Sequence, residues 1–172
     1  LVRFSDGAEA MVGRWEVLVT CISDQALDEG PPAAPTDAEL DPALWDADTW
    51  AKSLPGRIAG RLRPGRAVLF ATPEAQTSAL NTQAWLTRLG VKSEVRDIER
   101  DSVADPQALR ERFAGVLGDC RRSSVVVDIT SGNKPMSVAL FSAAEEAGAS
   151  VTYLERTGTG EEEQVAVRLI LE

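Results

Sequence analysis

Short apolar runs alternate along this chain with stretches of helical periodicity. Trp15-Glu16-Val17-Leu18-Val19-Thr20-Cys21-Ile22 is brief and rich in β-branched and apolar residues, which predicts a first buried strand ending at Ser23-Asp24-Gln25. Residues 28–41 are rich in Pro, Ala and Asp and read as a loop. A helical segment follows over about 42–62, carrying Trp45, Trp50 and Ile58, and Pro55-Gly56 reads as an interruption. Ala67-Val68-Leu69-Phe70-Ala71 is continuous apolar, the pattern of a strand covered on both faces of a parallel sheet. Thr72-Pro73-Glu74 then supplies a cap, a first-turn proline and an early acid for a helix reaching Leu89, with Gly90 as its stop.

The second half repeats the alternation. Residues 91–98 predict a more polar strand, and Asp105-Pro106 opens a helix whose Leu109, Phe113, Val116 and Leu117 share one face. Residues 124–129, Ser-Val-Val-Val-Asp-Ile, form the clearest core strand. The helix behind it runs to Ala147 and Gly148, apolar nearly all round through Met136, Val138, Leu140 and Phe141, which predicts burial between a sheet and another layer. Residues 150–155 and 164–171 predict an antiparallel hairpin at the sheet edge, with a turn at Gly158-Thr159-Gly160. The expected architecture is a Rossmann-like three-layer α/β fold: a mostly parallel sheet with helices on both faces, closed by a C-terminal antiparallel β-hairpin.

The 172 residues suit a single domain, and 44% hydrophobic content fills a core without disulfides or metal. A chain that begins at Leu1 rather than Met reads as part of something longer. The net charge of −9 supplies no field for DNA or an acidic membrane, so an anionic ligand must be held by local groups. There is no histidine, which excludes His-based zinc sites and Ser-His-Asp triads. Cys21 and Cys120 have no metal-ligand spacing and read as reduced thiols of a cytoplasmic protein. No cofactor, metal or membrane span is expected.

In such a sheet, ligands sit at the carboxyl ends of strands. Three strand ends qualify here: 21–25, 72–78 and 128–136. The last is the most unusual, because Thr130-Ser131-Gly132-Asn133-Lys134 joins a core strand to an apolar helix. Gly132 lets backbone N–H groups approach an oxygen-rich ligand. Thr130, Ser131 and Asn133 offer donors or a helix cap, and Lys134 adds a cation where the helix dipole already favours anions. These residues make a phosphate-sized anion site; an ordinary capped strand-to-helix connection is the alternative. Neither a Walker P-loop nor G-x-G-x-x-G is present.

Residues 125–140, with Ala143-Ala144, Gly148 and Val151-Thr152-Tyr153, resemble the signature of CARF domains, the Rossmann-fold sensors of type III CRISPR systems. That family's pattern is an apolar strand, then D/N-x-T-G-G-T-K-x-M and an apolar helix. Here Ser131 stands for the first glycine and Asn133 for the second threonine; both are small and polar, so an anion site survives. The strand ending at Thr72 and the first strand ending at 21–25 fit the same element order. The resemblance implies a homodimer whose paired loops bind a cyclic oligoadenylate second messenger. It implies phosphate contacts from Lys134 and the backbone of Gly132 and Asn133. Ser23, Asp24, Gln25 and Thr72 would line adenine or ribose pockets, and the helix 135–147 would join the dimer interface. Some family members slowly cleave their ring, and Ser23 and Lys134 could assist, although no catalytic residue is assigned. An effector domain fused outside this chain is also implied.

Two other classes stay open at this point. One is an α/β protein-interaction or structural domain without a small ligand. The other is a nucleotide-processing enzyme that would need an acidic metal cluster, for which only Asp24 and Asp128 are placed. Asp128, near the end of its strand, is expected instead to hydrogen-bond the neighbouring loop.

Overall fold

The computed structural model describes residues 14–23, 36, 54–157 and 164–171. Asp24, Gln25, Trp45, Trp50 and the glycine turn at 158–160 lie outside the described residues. Six strands form one sheet in the order β3-β2-β1-β4-β5-β6. They are β1 (Val17–Cys21), β2 (Arg66–Ala71), β3 (Lys92–Asp97), β4 (Val125–Asp128), β5 (Ser150–Thr157) and β6 (Gln164–Leu171). The first five run parallel, and β5–β6 is antiparallel at the edge. The expected Rossmann-like α/β architecture and its C-terminal antiparallel pair are thereby observed.

Alternation within the strands sorts the core into two layers. Leu18 and Ile22 of the first strand segment join Leu69, Val126, Leu154 and Val167 beneath α1 (Leu54–Leu62) and α2 (Gln76–Arg88). Val17, Val19 and Cys21 point to the other face, with Phe70, Val127 and Val151, against α4 (Pro106–Gly118) and α5 (Lys134–Ala147). A one-residue slip of β1 would exchange these two sets between layers, so burial on both faces fixes its register. β3 is the opposite edge, and its half-exposed polar pattern matches that position. A short helix, α3 (Arg100–Val103), follows it.

Local signals behave as their chemistry requires. Asp105 caps α4, its carboxylate accepting from the backbone N–H groups of Gln107 and Ala108 at 3.0 and 3.1 Å. Leu109, Phe113, Val116 and Leu117 are all buried on the inner face of α4, and the Phe113 ring meets Phe70 edge-on at 4.8 Å. Gly148 ends α5 in the left-handed region at φ 64°.

Two details refine the sequence reading. Pro55 and Gly56 occupy the first turn of α1, where a missing N–H is harmless. Helix α5 is buried on one face only: Met136, Ala139, Leu140, Ala143 and Ala144 point inwards, whereas Val138 is 69% exposed. The outward apolar positions have no covering layer within the described chain.

Candidate functional site

The strand order reverses direction at one place. From β1 the chain winds outward through β2 and β3, then returns to the other side of β1 as β4. The β1–β4 seam is therefore the topological switch point, and the crevice beyond its carboxyl ends is where such sheets bind ligands. The residues leaving β1 and β4 meet there. A cavity of about 280 Å³ is lined by Ile22, Ser23, Thr72, Glu74, Gly132, Asn133 and Met136. It brings together Ser23, Thr72, Gly132 and Asn133, which come from three separate strand ends. A larger cavity of about 550 Å³ opens at the opposite end of the sheet, among Glu16, Arg66, Lys92, Asp119, Cys120 and Arg121. Its mixed charges lie at the amino ends of the strands, away from the switch crevice.

Beneath the crevice runs a buried polar row. Thr20, Asp128 and Thr152 are in register across β1, β4 and β5, and none has any exposure. The Thr20 hydroxyl donates to Asp128 Oδ2 at 3.1 Å, and the Thr130 hydroxyl donates to Oδ1 at 2.6 Å. Thr130 Oγ1 in turn accepts the backbone N–H of Leu154 at 2.8 Å. Thr130 thus ties the loop to β4 and β5, with its hydroxyl engaged inside the chain. Burial pushes the Asp128 carboxyl up to about 6, against the opposing effect of these two threonines. Desolvation, and then the nearby Asp128, also push the Cys21 thiol far up, so it is a packing group rather than a nucleophile. The expectation that Asp128 holds the neighbouring loop is met.

The loop itself is shaped by close approach. Gly132 has φ 91°, and a Cβ built on it would stand 2.7 Å from the Cβ of Cys21. Only glycine permits this backbone to lie across the end of β1. Asn133 occupies the N-cap of α5, its side-chain oxygen accepting from Met136 N–H at 3.0 Å, and Pro135 follows in the first turn. The Ser131 carbonyl accepts from the Ser137 hydroxyl at 3.3 Å, whereas the Ser131 hydroxyl has no hydrogen-bond partner among the described residues. Lys134 is exposed on the first turn of α5, and no described residue forms an ion pair with it. The arrangement presents a helix N-terminus and a positive-φ glycine on one side of the cavity, with the exposed Lys134 next in the chain, which is the chemistry of an anion cradle.

The sequence reading missed Glu74. It lines the cavity from the 3-10 turn Pro73–Ala75 and pairs with Arg100 of α3. Its backbone N–H first, then Arg100 with help from Thr72, hold its carboxyl below the ordinary value. In the sequence it reads as an early acid of a helix, and nothing local shows that it faces a crevice. Among the described residues no group of three or more acidic, Cys or His side chains could hold a metal ion, and no helix is long and apolar enough to cross a membrane.

No family model matches the sequence, and no curated protein matches it. Solved structures do. Can2 from Sulfobacillus thermosulfidooxidans in complex with cyclic tetra-adenylate aligns with a TM-score of 0.56 at 12% identity, over 87% of this chain and 36% of that one. This chain shares its fold with CRISPR defence proteins. A type III CRISPR defence DNA nuclease activated by cyclic oligoadenylate aligns with a TM-score of 0.56 at 19% identity, over 83% of this chain and 19% of that one. Enterococcus italicus Csm6 bound to cyclic hexa-2′-fluoro-hexa-dAMP gives a TM-score of 0.56 and 18% identity, over 82% and 33%. The chain spans between about a fifth and just over a third of these proteins.

Proposed function

We propose that residues 1–172 form a sensor domain that binds a cyclic oligoadenylate second messenger in CRISPR antiviral defence. The observation that carries this reading is the anion cradle at the β1–β4 switch point: a cavity lined by Gly132, Asn133, Ser23 and Thr72, with the exposed Lys134 following Asn133 on the first turn of α5. In a chain of net charge −9, no carboxylate among the described residues pairs with this cation, and that is sensible if a ligand phosphate takes the role. The three structural neighbours named above are a cyclic-oligoadenylate complex, a cyclic-oligoadenylate-activated nuclease and a complex with a fluorinated ring.

In this reading Lys134 and the backbone of Gly132 and Asn133 hold phosphate, and Ser131 adds a hydroxyl. Ser23, Thr72, Asp24 and Gln25 line the base and ribose. Thr130 acts from below, by fixing the loop. The domain works as a homodimer, with the outward apolar positions of α5, led by Val138, against a second copy. It is cytoplasmic, binds no DNA itself, and reports to an effector fused outside this chain. Slow ring cleavage is compatible with the site: a ribose 2′-hydroxyl attacks the adjacent phosphate when Ser23 and Lys134 position and stabilise it.

The test is calorimetric titration of the purified chain with cyclic tetra- and hexa-adenylate in EDTA. The expected result is submicromolar binding at one ring per two chains, unaffected by the chelator. Absence of binding to either ring refutes the reading and favours an interaction domain of the same fold.

A further inference from the structure

Among the described residues, Glu74 is the one ionisable residue lining the switch-point cavity. The other lining residues offer two hydroxyls (Ser23, Thr72), an amide (Asn133), a glycine backbone and the apolar side chains of Ile22 and Met136. An ionised carboxylate can only accept hydrogen bonds. Its orientation is set by Arg100, which reaches back from α3 to the 3-10 turn. Both side chains of this pair are well exposed, 76% and 43%, so the pair contributes little to stability and its effect is on geometry.

The two ends of the cavity therefore differ in hydrogen-bonding character. At one end stands the α5 N-terminus with Gly132 and Asn133, whose N–H groups attract an anion; at the other stands a carboxylate paired with Arg100, which can only accept hydrogen bonds. A ligand carrying phosphate then lies with its phosphate at Gly132-Asn133 and a hydrogen-bond donor at Glu74. We infer that Glu74 is a specificity-determining residue of this site: its carboxylate accepts an N–H or O–H from the nucleoside part of the ligand, and Arg100 holds it in place to do so. The inference rests on the nucleotide reading above. Two groups of an adenosine unit supply such a donor, the ribose 2′-hydroxyl and the 6-amino group. A bare anion, or a nucleotide stripped of that donor, makes no hydrogen bond with the carboxylate at this end.

The experiment is a titration of wild type, Glu74→Ala and Glu74→Gln with three rings: cyclic tetra-adenylate, its 2′-fluoro-2′-deoxy counterpart and its N6-dimethyl counterpart. Wild type is expected to bind one analogue about tenfold more weakly than the parent, as for loss of a charge-assisted hydrogen bond. Glu74→Ala is expected to bind the parent about tenfold more weakly and to treat that analogue and the parent alike; Glu74→Gln, which keeps a neutral acceptor, falls between. The analogue that wild type rejects identifies the donor. Equal binding of all three rings by wild type overturns the inference, as does discrimination that survives in Glu74→Ala. Tighter parent binding by Glu74→Ala also overturns it, because the carboxylate would then act by repulsion alone. Failure of wild type to bind any ring removes the nucleotide reading itself, whereas failure confined to the Glu74 comparison leaves that reading in place.

Discussion

Gly132→Ala probes the crossing of the loop over β1. Two costs can be worked from the geometry. At φ 91° an alanine carries a left-handed backbone penalty of roughly 1–2 kcal/mol. Its new methyl would also lie 2.7 Å from the Cβ of Cys21, an atom fixed by the strand backbone rather than the end of a flexible side chain. Overpacking of that kind costs roughly 1–3 kcal/mol more, unless the loop lifts. Urea unfolding followed by fluorescence of the buried Trp15 and Trp85 should therefore show a loss of about 2–5 kcal/mol. A loop that lifts would save stability at the expense of ligand binding, so titration with cyclic tetra-adenylate accompanies the unfolding curve. Double-mutant cycles locate the clash. Cys21→Ala retains the offending Cβ and should show no coupling to Gly132→Ala, whereas Cys21→Gly removes it and should recover the steric share. A Gly132→Ala protein within about 0.5 kcal/mol of wild type, with unchanged titration, would refute the close approach.

Further expectations concern charge and packing. Lys134→Ala should leave stability within about 0.5 kcal/mol, yet weaken ring binding by at least ~1.5 kcal/mol, about tenfold; equal affinity would remove its phosphate role. The folded-state value of about 6 for Asp128 lies above its ordinary 3.8, so the folded chain binds that proton more tightly than the unfolded chain does. The stability this contributes is fully present below about 3.8 and lost as pH rises through about 6, a fall on the order of 3 kcal/mol. The difference in unfolding free energy between wild type and Asp128→Asn should therefore decline between pH 4 and 6, and a flat difference would contradict it. Leu140→Ala, at a fully buried position, should cost about 2–5 kcal/mol. Val138→Asp, 69% exposed, should change monomer stability little but shift sedimentation from dimer to monomer.

Much of the scaffold was legible because its signals are local. A run such as Val125-Val126-Val127 has few structural homes, and the Leu109, Phe113, Val116, Leu117 spacing places one helix face without reference to anything distant. The loop at 130–134 could be singled out for the same reason. What stayed hidden depends on which strands become neighbours. Nothing near Thr130 in the sequence shows that its hydroxyl is taken by Asp128 and by the backbone of Leu154. Glu74 reads as a helix-start acid until β2 is set beside β1. The all-round apolarity of α5 left its outer cover open, because residue type reports a preference for burial without saying whether the cover comes from the same chain.

The β1–β4 seam joins residues far apart in the chain; Thr20 and Asp128, hydrogen-bonded across it, are separated by 108 positions. Everything from β2 to α4 must be gathered before that seam can close, so the crevice has no local precursor and no partial version. A chain cut in the segment between β3 and α4 would leave Ser23, Thr72 and Glu74 on one piece and Gly132, Asn133 and Lys134 on the other. The cavity is therefore a shared property of two halves, and whatever occupies it is in contact with both at once. A molecule bound there would tie together the two windings of the sheet along the line at which they part.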